Sequence, residues 1–473
     1  MTRTLLTLIF LCAQSHSFAR ENSDSTNRVT ICGRLSPANK APEIRLIENY
    51  QTAVPHLQKE RSVKVISSAD SFYVSIPATD SIMYFRFLNL PPFRTQNTYA
   101  VKKGDSVYIT DQKKVNGSKN AVNILNCQLQ LDKVYYSASM QGRDTLTFSQ
   151  NLLALADHKF EKGGLVLQAY APTIEKNFLK LLELNFYLRS YSIFYSVWKR
   201  DGRADKDKLD PVRVMNTLVY DKRLDVEQKI WEVSDKYIEY RVFLLMGYFE
   251  LTSKGTAIRT NPYRKAFDFI QTTYDGMLKD RMGSYLLIKS IQRDPGILPI
   301  LPIAAETMTD SLAKQTLMSA YHAVRPGKKA LNFDLEDENG KTHRLDDYKG
   351  KNLVIKFWFT GCTGCAQIKN SMSVIQQKFK DDKSIVFLNV NMSTQKTHWI
   401  EGLKSGKYTS SGEVNLYTGG LGIRHPLVKY YQFASAPQLL LINRRGIVYS
   451  ANPPIPFTEQ KTVELINMIK EMR

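Results

Sequence analysis

Cys362 and Cys365, in the run Lys356-Phe357-Trp358-Phe359-Thr360-Gly361-Cys362-Thr363-Gly364-Cys365, are the side chains of this sequence best placed to do chemistry. Two cysteines separated by two residues at a helix start can close a small, reducible disulfide, and the helix N-terminus stabilises the thiolate of the first. The apolar run Leu353-Val354-Ile355 precedes them, and Ile368, Met372, Ile375 and Phe379 follow at helical spacing. That period describes one helix face packed on a sheet. Cys362 is then expected at the exposed mouth of the helix, with Cys365 about one turn further in, shielded and acting as the resolving thiol. A structural zinc site needs four ligands, and neither a second Cys-x-x-Cys nor a His-x-x-x-His accompanies the pair. Thiol chemistry without a metal is the expectation.

The elements that must hold this pair lie in residues 327–473. Arg325-Pro326-Gly327-Lys328-Lys329 reads as a linker into that domain. Asn332 to Leu335 and Thr342 to Leu345 flank the turn Glu338-Asn339-Gly340, a hairpin signal. A strand Leu353 to Phe357, the dithiol helix, a strand Ile385 to Asn391 and a helix near His398 to Leu403 follow. The chain ends with strands Gln438 to Ile442 and Ile447 to Tyr449 around the turn Asn443 to Gly446, then a helix after Thr458. A β-α-β unit followed by a hairpin and a closing helix is the α/β arrangement of thioredoxin.

Several motifs in this stretch resemble the TlpA/ResA-type thiol-disulfide oxidoreductases of the thioredoxin superfamily. They are Phe333-x-Leu335-x-Asp337-x-x-Gly340-Lys341, Leu345-x-x-Tyr348-Lys349-Gly350-Lys351, Phe357-Trp358-x-x-x-Cys362-x-x-Cys365, Ala436-Pro437 and Ile442-x-x-x-Gly446-Ile447-Val448. The resemblance implies that Cys362 is the nucleophile, Cys365 the resolver and Pro437 a cis-proline facing the dithiol, with the Ala436 backbone available to an extended substrate segment. It implies no dissociable cofactor, protein thiols or disulfides as substrates, and a membrane or periplasmic redox partner. The residues depart from the family at Gly361, usually Trp, and at Gly364, often Pro. Ile368 stands where ResA-like members place an acid, and Lys356 where thioredoxin has a buried Asp. Lys356 is thus either a modulator of the thiol pKa values or a lysine on the solvent side of its strand end.

The rest of the chain is expected to form separate parts of a multidomain protein. Residues 1–19 read as a signal peptide: Arg3, an apolar core from Leu5 to Ala13, and Ser17-Phe18-Ala19 as the cleavage pattern. That predicts an exported, periplasmic protein. Residues 28–140 carry short segments rich in β-branched and aromatic residues and suggest an antiparallel β-sandwich-like domain of unknown role, with strand-like segments as far as Lys133. Residues 144–324 turn to helical spacing. The stripes are Ile174, Phe178, Leu181 and Leu182 after a start near Thr173; Ile230, Val233, Tyr237, Tyr240, Phe243 and Leu244; and Phe267, Ile270, Tyr274 and Leu278 after Asn261-Pro262. These upstream regions are similar in layout to the extensions of exported TlpA-like proteins of Bacteroidetes.

Composition narrows the function classes. The formal charge is +20, yet no block of five or six like charges occurs, so a nucleic-acid partner is not expected, whereas peripheral contact with an anionic membrane face is compatible with the excess. Five cysteines in 473 residues do not make a disulfide scaffold. Cys32 and Cys127 read either as a bridge or as two buried thiols. Two other functions compete with an exported dithiol oxidoreductase. One is a binding or scaffold protein with a weakly active thioredoxin-like domain. The other is a peroxiredoxin-like peroxidase, which would want Thr at position 359 and finds Phe.

Overall fold

The computed structural model describes residues 27–472 apart from 35–41, 49–58, 68–70, 95–96, 110–113, 138–147, 202–215, 235, 254–260 and 411–412. The signal-peptide reading of residues 1–19 lies outside the described residues. The chain divides into two compact units, Met1–Ala266 and Phe267–Arg473. Among the described residues no helix is long and apolar enough to cross a membrane.

Among the described residues the first unit opens with nine strands: β1 (Arg28–Arg34), β2 (Glu43–Glu48), β3 (Lys59–Val63), β4 (Ile66–Ser67), β5 (Ser71–Pro77), β6 (Ile82–Leu88), β7 (Tyr99–Lys102), β8 (Ser106–Ile109) and β9 (Val115–Gly117). They form a five-stranded sheet, β4-β5-β1-β8-β9, and a four-stranded sheet, β3-β2-β6-β7. Alternation does the sorting: Phe72, Val74 and Ile76 of β5 and Phe85 and Phe87 of β6 point into one shared core, with Ser71, Tyr73 and Ser75 of β5 on the other face. The sandwich is not wholly antiparallel, because β1 pairs with β8 in parallel, Thr30 opposite Ser106. The strand-like segments expected as far as Lys133 also end earlier. Lys119–Ser137 is a helix, α1, whose buried Ala121, Ile124, Leu125 and Leu131 recur at helical spacing, and Ala121 and Leu125 close the sandwich core.

Helices α2 (Phe148–Tyr170), α3 (Lys176–Asp201), α4 (Gln228–Trp231) and α5 (Tyr237–Thr252) follow. Thr173 does not cap α3; its hydroxyl donates to Tyr170 O at 2.9 Å, and the helix starts at Lys176. The stripe from Ile230 to Leu244 is broken into α4 and α5. Between them the Ser234 hydroxyl donates to Asn185 Oδ1 at 2.6 Å. The boundary between units falls inside α6 (Pro262–Thr273), so the helical region expected at 144–324 is shared between the two. Cys32 and Cys127 are buried as separate thiols, and burial pushes the Cys127 thiol up to about 12.

The second unit continues with α7 (Gly276–Ser290), α8 (Ile300–Thr307) and α9 (Ser311–Val324). Its seven-stranded sheet has the order β11-β10-β14-β13-β12-β15-β16. The strands are β10 (Asp334–Asp337), β11 (Thr342–Arg344), β12 (Asn352–Trp358), β13 (Ile385–Asn391), β14 (Val414–Tyr417), β15 (Gln438–Ile442) and β16 (Val448–Ser450). Helices α10 (Thr363–Gln367), α11 (Lys369–Lys378), α12 (Lys396–Lys404), α13 (Pro426–Tyr430) and α14 (Glu459–Glu471) connect or close it. All seven residues of β12 are buried, as a central strand covered on both faces requires. On one face Val354, Leu439 and Leu441 meet Ile368, Met372 and Ile375 of the dithiol segment and Leu465 and Ile469 of α14. This is the thioredoxin-like domain. The helical stripe after the dithiol is two helices rather than one, parted at Ile368, which is fully buried. The supposed linker is also part of the sheet edge: Gly327 N donates to Val448 O at 2.9 Å and Val448 N to Lys328 O at 2.7 Å.

Leu125 is enclosed between α1 and both sheets, whereas Leu129 packs only partly against that core. Leu125→Ala is expected to lower the stability of the full-length protein by about 2–5 kcal/mol in denaturant unfolding, and Leu129→Ala by clearly less. Equal losses would contradict the packing of α1.

Candidate active site

The site is assembled at the edge of the sheet toward which β12 runs. β13 is parallel to β12 and β14 to β13, whereas β15 is antiparallel to β12, with Phe357 opposite Gln438. The end of β12 therefore lies beside the start of β15. Cys362 leaves β12 through the turn at Gly361, whose φ of 95° is left-handed and suits glycine. Pro437 stands immediately before β15, and the Ala436–Pro437 bond is cis.

Cys362 and Cys365 are joined as a disulfide, their Cα atoms 5.2 Å apart. Cys362 is the N-cap of α10, and its Sγ accepts the Cys365 amide at 3.1 Å. The two cysteines are unequal in exposure: Cys362 keeps 5% of its surface, and Cys365 none. Cys362 is thus more enclosed than an open helix mouth would leave it. Cys362 Sγ lies 3.6 Å from Ala436 O, so the less buried cysteine faces the cis-proline segment. Ala436 and Pro437 are themselves half-buried.

Aromatic rings line the inner side. Trp358, Trp399, Tyr408 and Tyr417 form one buried cluster with both cysteines. Tyr408 stacks on Trp358 with centroids 5.0 Å apart, and its hydroxyl accepts the Gly361 amide at 2.9 Å. A ring from a distant loop thereby holds the backbone just before Cys362. Phe359 is 37% exposed, and the Thr360 hydroxyl donates to His398 O at 2.6 Å. The position three residues before Cys362 therefore offers no hydroxyl for peroxide.

Lys356 does not lie on a solvent-facing strand end. It is 2% exposed and shares a face of β12 with Val354, under α11, and Trp358, under the dithiol. Its Nζ donates to Tyr408 O at 2.8 Å. Burial pushes its pKa down to about 8; Glu413 opposes the shift and Lys369 adds to it. Glu413 is held by Asn389 Nδ2 at 2.5 Å and the Ser410 amide at 3.0 Å, and Asn389 is the β13 residue paired with Lys356. A buried ammonium therefore sits beneath the redox helix, satisfied by one carbonyl and the field of a carboxylate. In the sequence Tyr408 and Glu413 form no motif with the dithiol. Their 46- and 51-residue distances from Cys362 leave no local pattern to find.

Residues 326–451 match the AhpC/TSA family. The thiol-disulfide oxidoreductase ResA of Bacillus subtilis is 30% identical over 161 residues, 32% of this chain and 83% of that protein. The thioredoxin-like protein YneN of the same organism is 21% identical over 134 residues, 28% of this chain and 75% of that protein. The solved thioredoxin domain of a thiol-disulfide oxidoreductase from Bacteroides vulgatus aligns at 20% identity over 31% of this chain and 97% of that one, with a TM-score of 0.27. With a disulfide of two-residue spacing on a thioredoxin-like sheet and a ResA relative matched over most of its length, the chain belongs to the TlpA/ResA-like thiol-disulfide oxidoreductases of the thioredoxin superfamily.

Proposed function

We propose that this protein is an exported, periplasmic oxidoreductase that exchanges electrons between its own dithiol and the disulfides of other proteins. The observation that carries the reading is the asymmetry of the pair: Cys362 keeps 5% of its surface and lies against Ala436, whereas Cys365 is fully buried. In the reducing direction the Cys362 thiolate attacks one sulfur of a substrate disulfide. A mixed disulfide forms as the substrate bond breaks, and the departing sulfur leaves as a thiolate and takes up a proton. Cys365, deprotonated, then attacks Cys362 Sγ and expels the second substrate thiolate. Two electrons have passed to the substrate, and the Cys362–Cys365 disulfide remains. A dithiol reductant at the membrane or in the periplasm restores the thiols by the same exchange. The Ala436 backbone beside Pro437 receives the extended substrate segment. No dissociable cofactor takes part.

Lys356 fits this scheme as a charge beneath the dithiol. An ammonium there favours the thiolate form of the reduced pair and lowers its pKa. The carboxylate that thioredoxin carries at this position would instead take a proton.

Cys362→Ser is expected to reduce insulin no faster than the uncatalysed reaction, and Cys365→Ser to accumulate a mixed disulfide on Cys362 that non-reducing electrophoresis and mass spectrometry detect. Equal insulin reduction by Cys362→Ser and native protein would reject catalysis by this pair and favour a docking role.

Lys356→Met carries two expectations. The apparent pKa of Cys362 alkylation in the reduced protein rises; an unchanged value would remove Lys356 from the mechanism. Stability follows from the sign of the lysine shift. Its folded pKa, about 8, lies below the ordinary 10.5, so between these values the unfolded chain holds a proton that the folded one has released. Native stability then rises with pH across that window, and the full penalty of the buried charge is present below it. Lys356→Met should therefore be more stable than native protein at pH 7, by up to about 3 kcal/mol in denaturant unfolding, with the gain vanishing toward pH 10.5.

A further inference from the structure

The turn that carries Cys362 is held from outside itself. Gly361 has a left-handed φ of 95°, and a methyl group built on it would meet nothing within 4 Å, so packing at this position does not pin the residue bonded to the nucleophile. The hold comes from the connection between β13 and β14. Its Ser393 hydroxyl accepts the Thr360 amide at 3.2 Å, its His398 carbonyl accepts the Thr360 hydroxyl at 2.6 Å, and its Tyr408 hydroxyl accepts the Gly361 amide at 2.9 Å. The last of these reaches the residue next to Cys362.

Tyr408 is itself fixed at both ends. It is 8% exposed, its ring stacks on Trp358 with 22° between the planes, and its carbonyl accepts the Lys356 ammonium at 2.8 Å. The phenol oxygen is therefore offered at one place. What depends on that place is the Cys362 sulfur, which accepts the Cys365 amide at 3.1 Å. In the reduced protein the same amide faces a thiolate, and a hydrogen bond to the charged form favours that form. Without the phenol oxygen, glycine at 361 leaves the backbone ahead of the sulfur free to turn, and a sulfur that drifts from the amide takes up a proton more readily.

We infer that Tyr408 is a positioning residue for thiol exchange: its hydroxyl, through the Gly361 amide, keeps the Cys362 sulfur on the Cys365 amide and so keeps the nucleophile in its thiolate form. The inference rests on the dithiol reading above and adds a device that tunes the same site. It acts through backbone geometry, whereas Lys356 acts through charge. Tyr408→Phe retains the stacked ring and the carbonyl that holds Lys356, so the charges of Lys356, Lys369 and Glu413 stay as they are. Weakening one hydrogen bond to a charged sulfur corresponds to a rise of about one unit in the apparent pKa of Cys362. Below both values the thiolate fraction then falls about tenfold, and because nucleophilicity rises with pKa, attack slows by about threefold.

The test uses full-length native protein, Tyr408→Phe, Lys356→Met, the two changes together, and Cys362→Ser. Iodoacetamide alkylation of Cys362 in the reduced proteins is followed against pH by mass spectrometry. Tyr408→Phe should move the midpoint up by about one unit and slow the reduction of insulin and of 2-hydroxyethyl disulfide alike, by about threefold. The shifts of Tyr408→Phe and Lys356→Met should add in the double variant. A midpoint left unchanged by Tyr408→Phe, whatever its stability in denaturant, would overturn the inference. So would a double variant no different from Lys356→Met, because the hydroxyl would then act through the lysine, and so would a loss on insulin alone, which marks a docking defect. Native protein supplies a measure that needs no variant: the Gly361 amide of the reduced form should be protected from hydrogen exchange, and exchange at the rate of an exposed amide would also overturn it. Insulin reduction by Cys362→Ser equal to native would instead overturn the dithiol reading beneath it.

Discussion

The hydrogen-bonded register between β12 and β15 is the constraint on which the site depends. Phe357 lies opposite Gln438, so the strand that ends in the dithiol turn and the strand that starts after Pro437 share one edge although 71 residues separate Cys365 from Ala436. A one-residue slip would turn every side chain of β15 to the other face and carry Pro437 away from Cys362. The slip is resisted by burial: β12 and β15 are enclosed at every residue, and Val354, Leu439 and Leu441 interlock with Ile368, Met372 and Ile469. Core packing and placement of the reactive sulfur are thus one problem with one solution.

Around that frame the site combines enclosure with a narrow opening. Trp358, Trp399, Tyr408 and Tyr417 exclude water from the inner side, and Tyr408 fixes the backbone before Cys362 through the Gly361 amide. The same Tyr408 supplies the carbonyl that satisfies Lys356. One residue therefore joins the buried charge to the turn that carries the nucleophile. A lone buried ammonium is expensive unless it is hydrogen-bonded and near an opposite charge, and Tyr408 O and Glu413 meet both needs in part.

The first unit follows a different logic. Two sheets share a core that α1 closes, and the parallel pairing of β1 with β8 ties β1 to a strand that follows all four strands of the second sheet in the chain. Such long-range closure adds to the order of the unit without leaving a local mark in the sequence.

Local patterns were legible from the residues alone. The bounds of β8, β13 and β15, the hairpin at Gly340 and the helix start after Thr458 follow from alternation, turn chemistry and helical spacing, each decided within a few neighbouring residues. So was the two-residue spacing of the cysteines, because reach between i and i+3 is a local property. Tertiary structure decided the rest: that Lys356 lies inside, that α10 and α11 part at Ile368, that residues 119–137 are helical, and that Phe457 comes against Gly364. The reason is the same in each case. Which side of a strand is covered, and which ring comes to lie beside a turn, depends on segments brought together by packing across the chain, and periodicity carries no information about a partner that arrives from elsewhere.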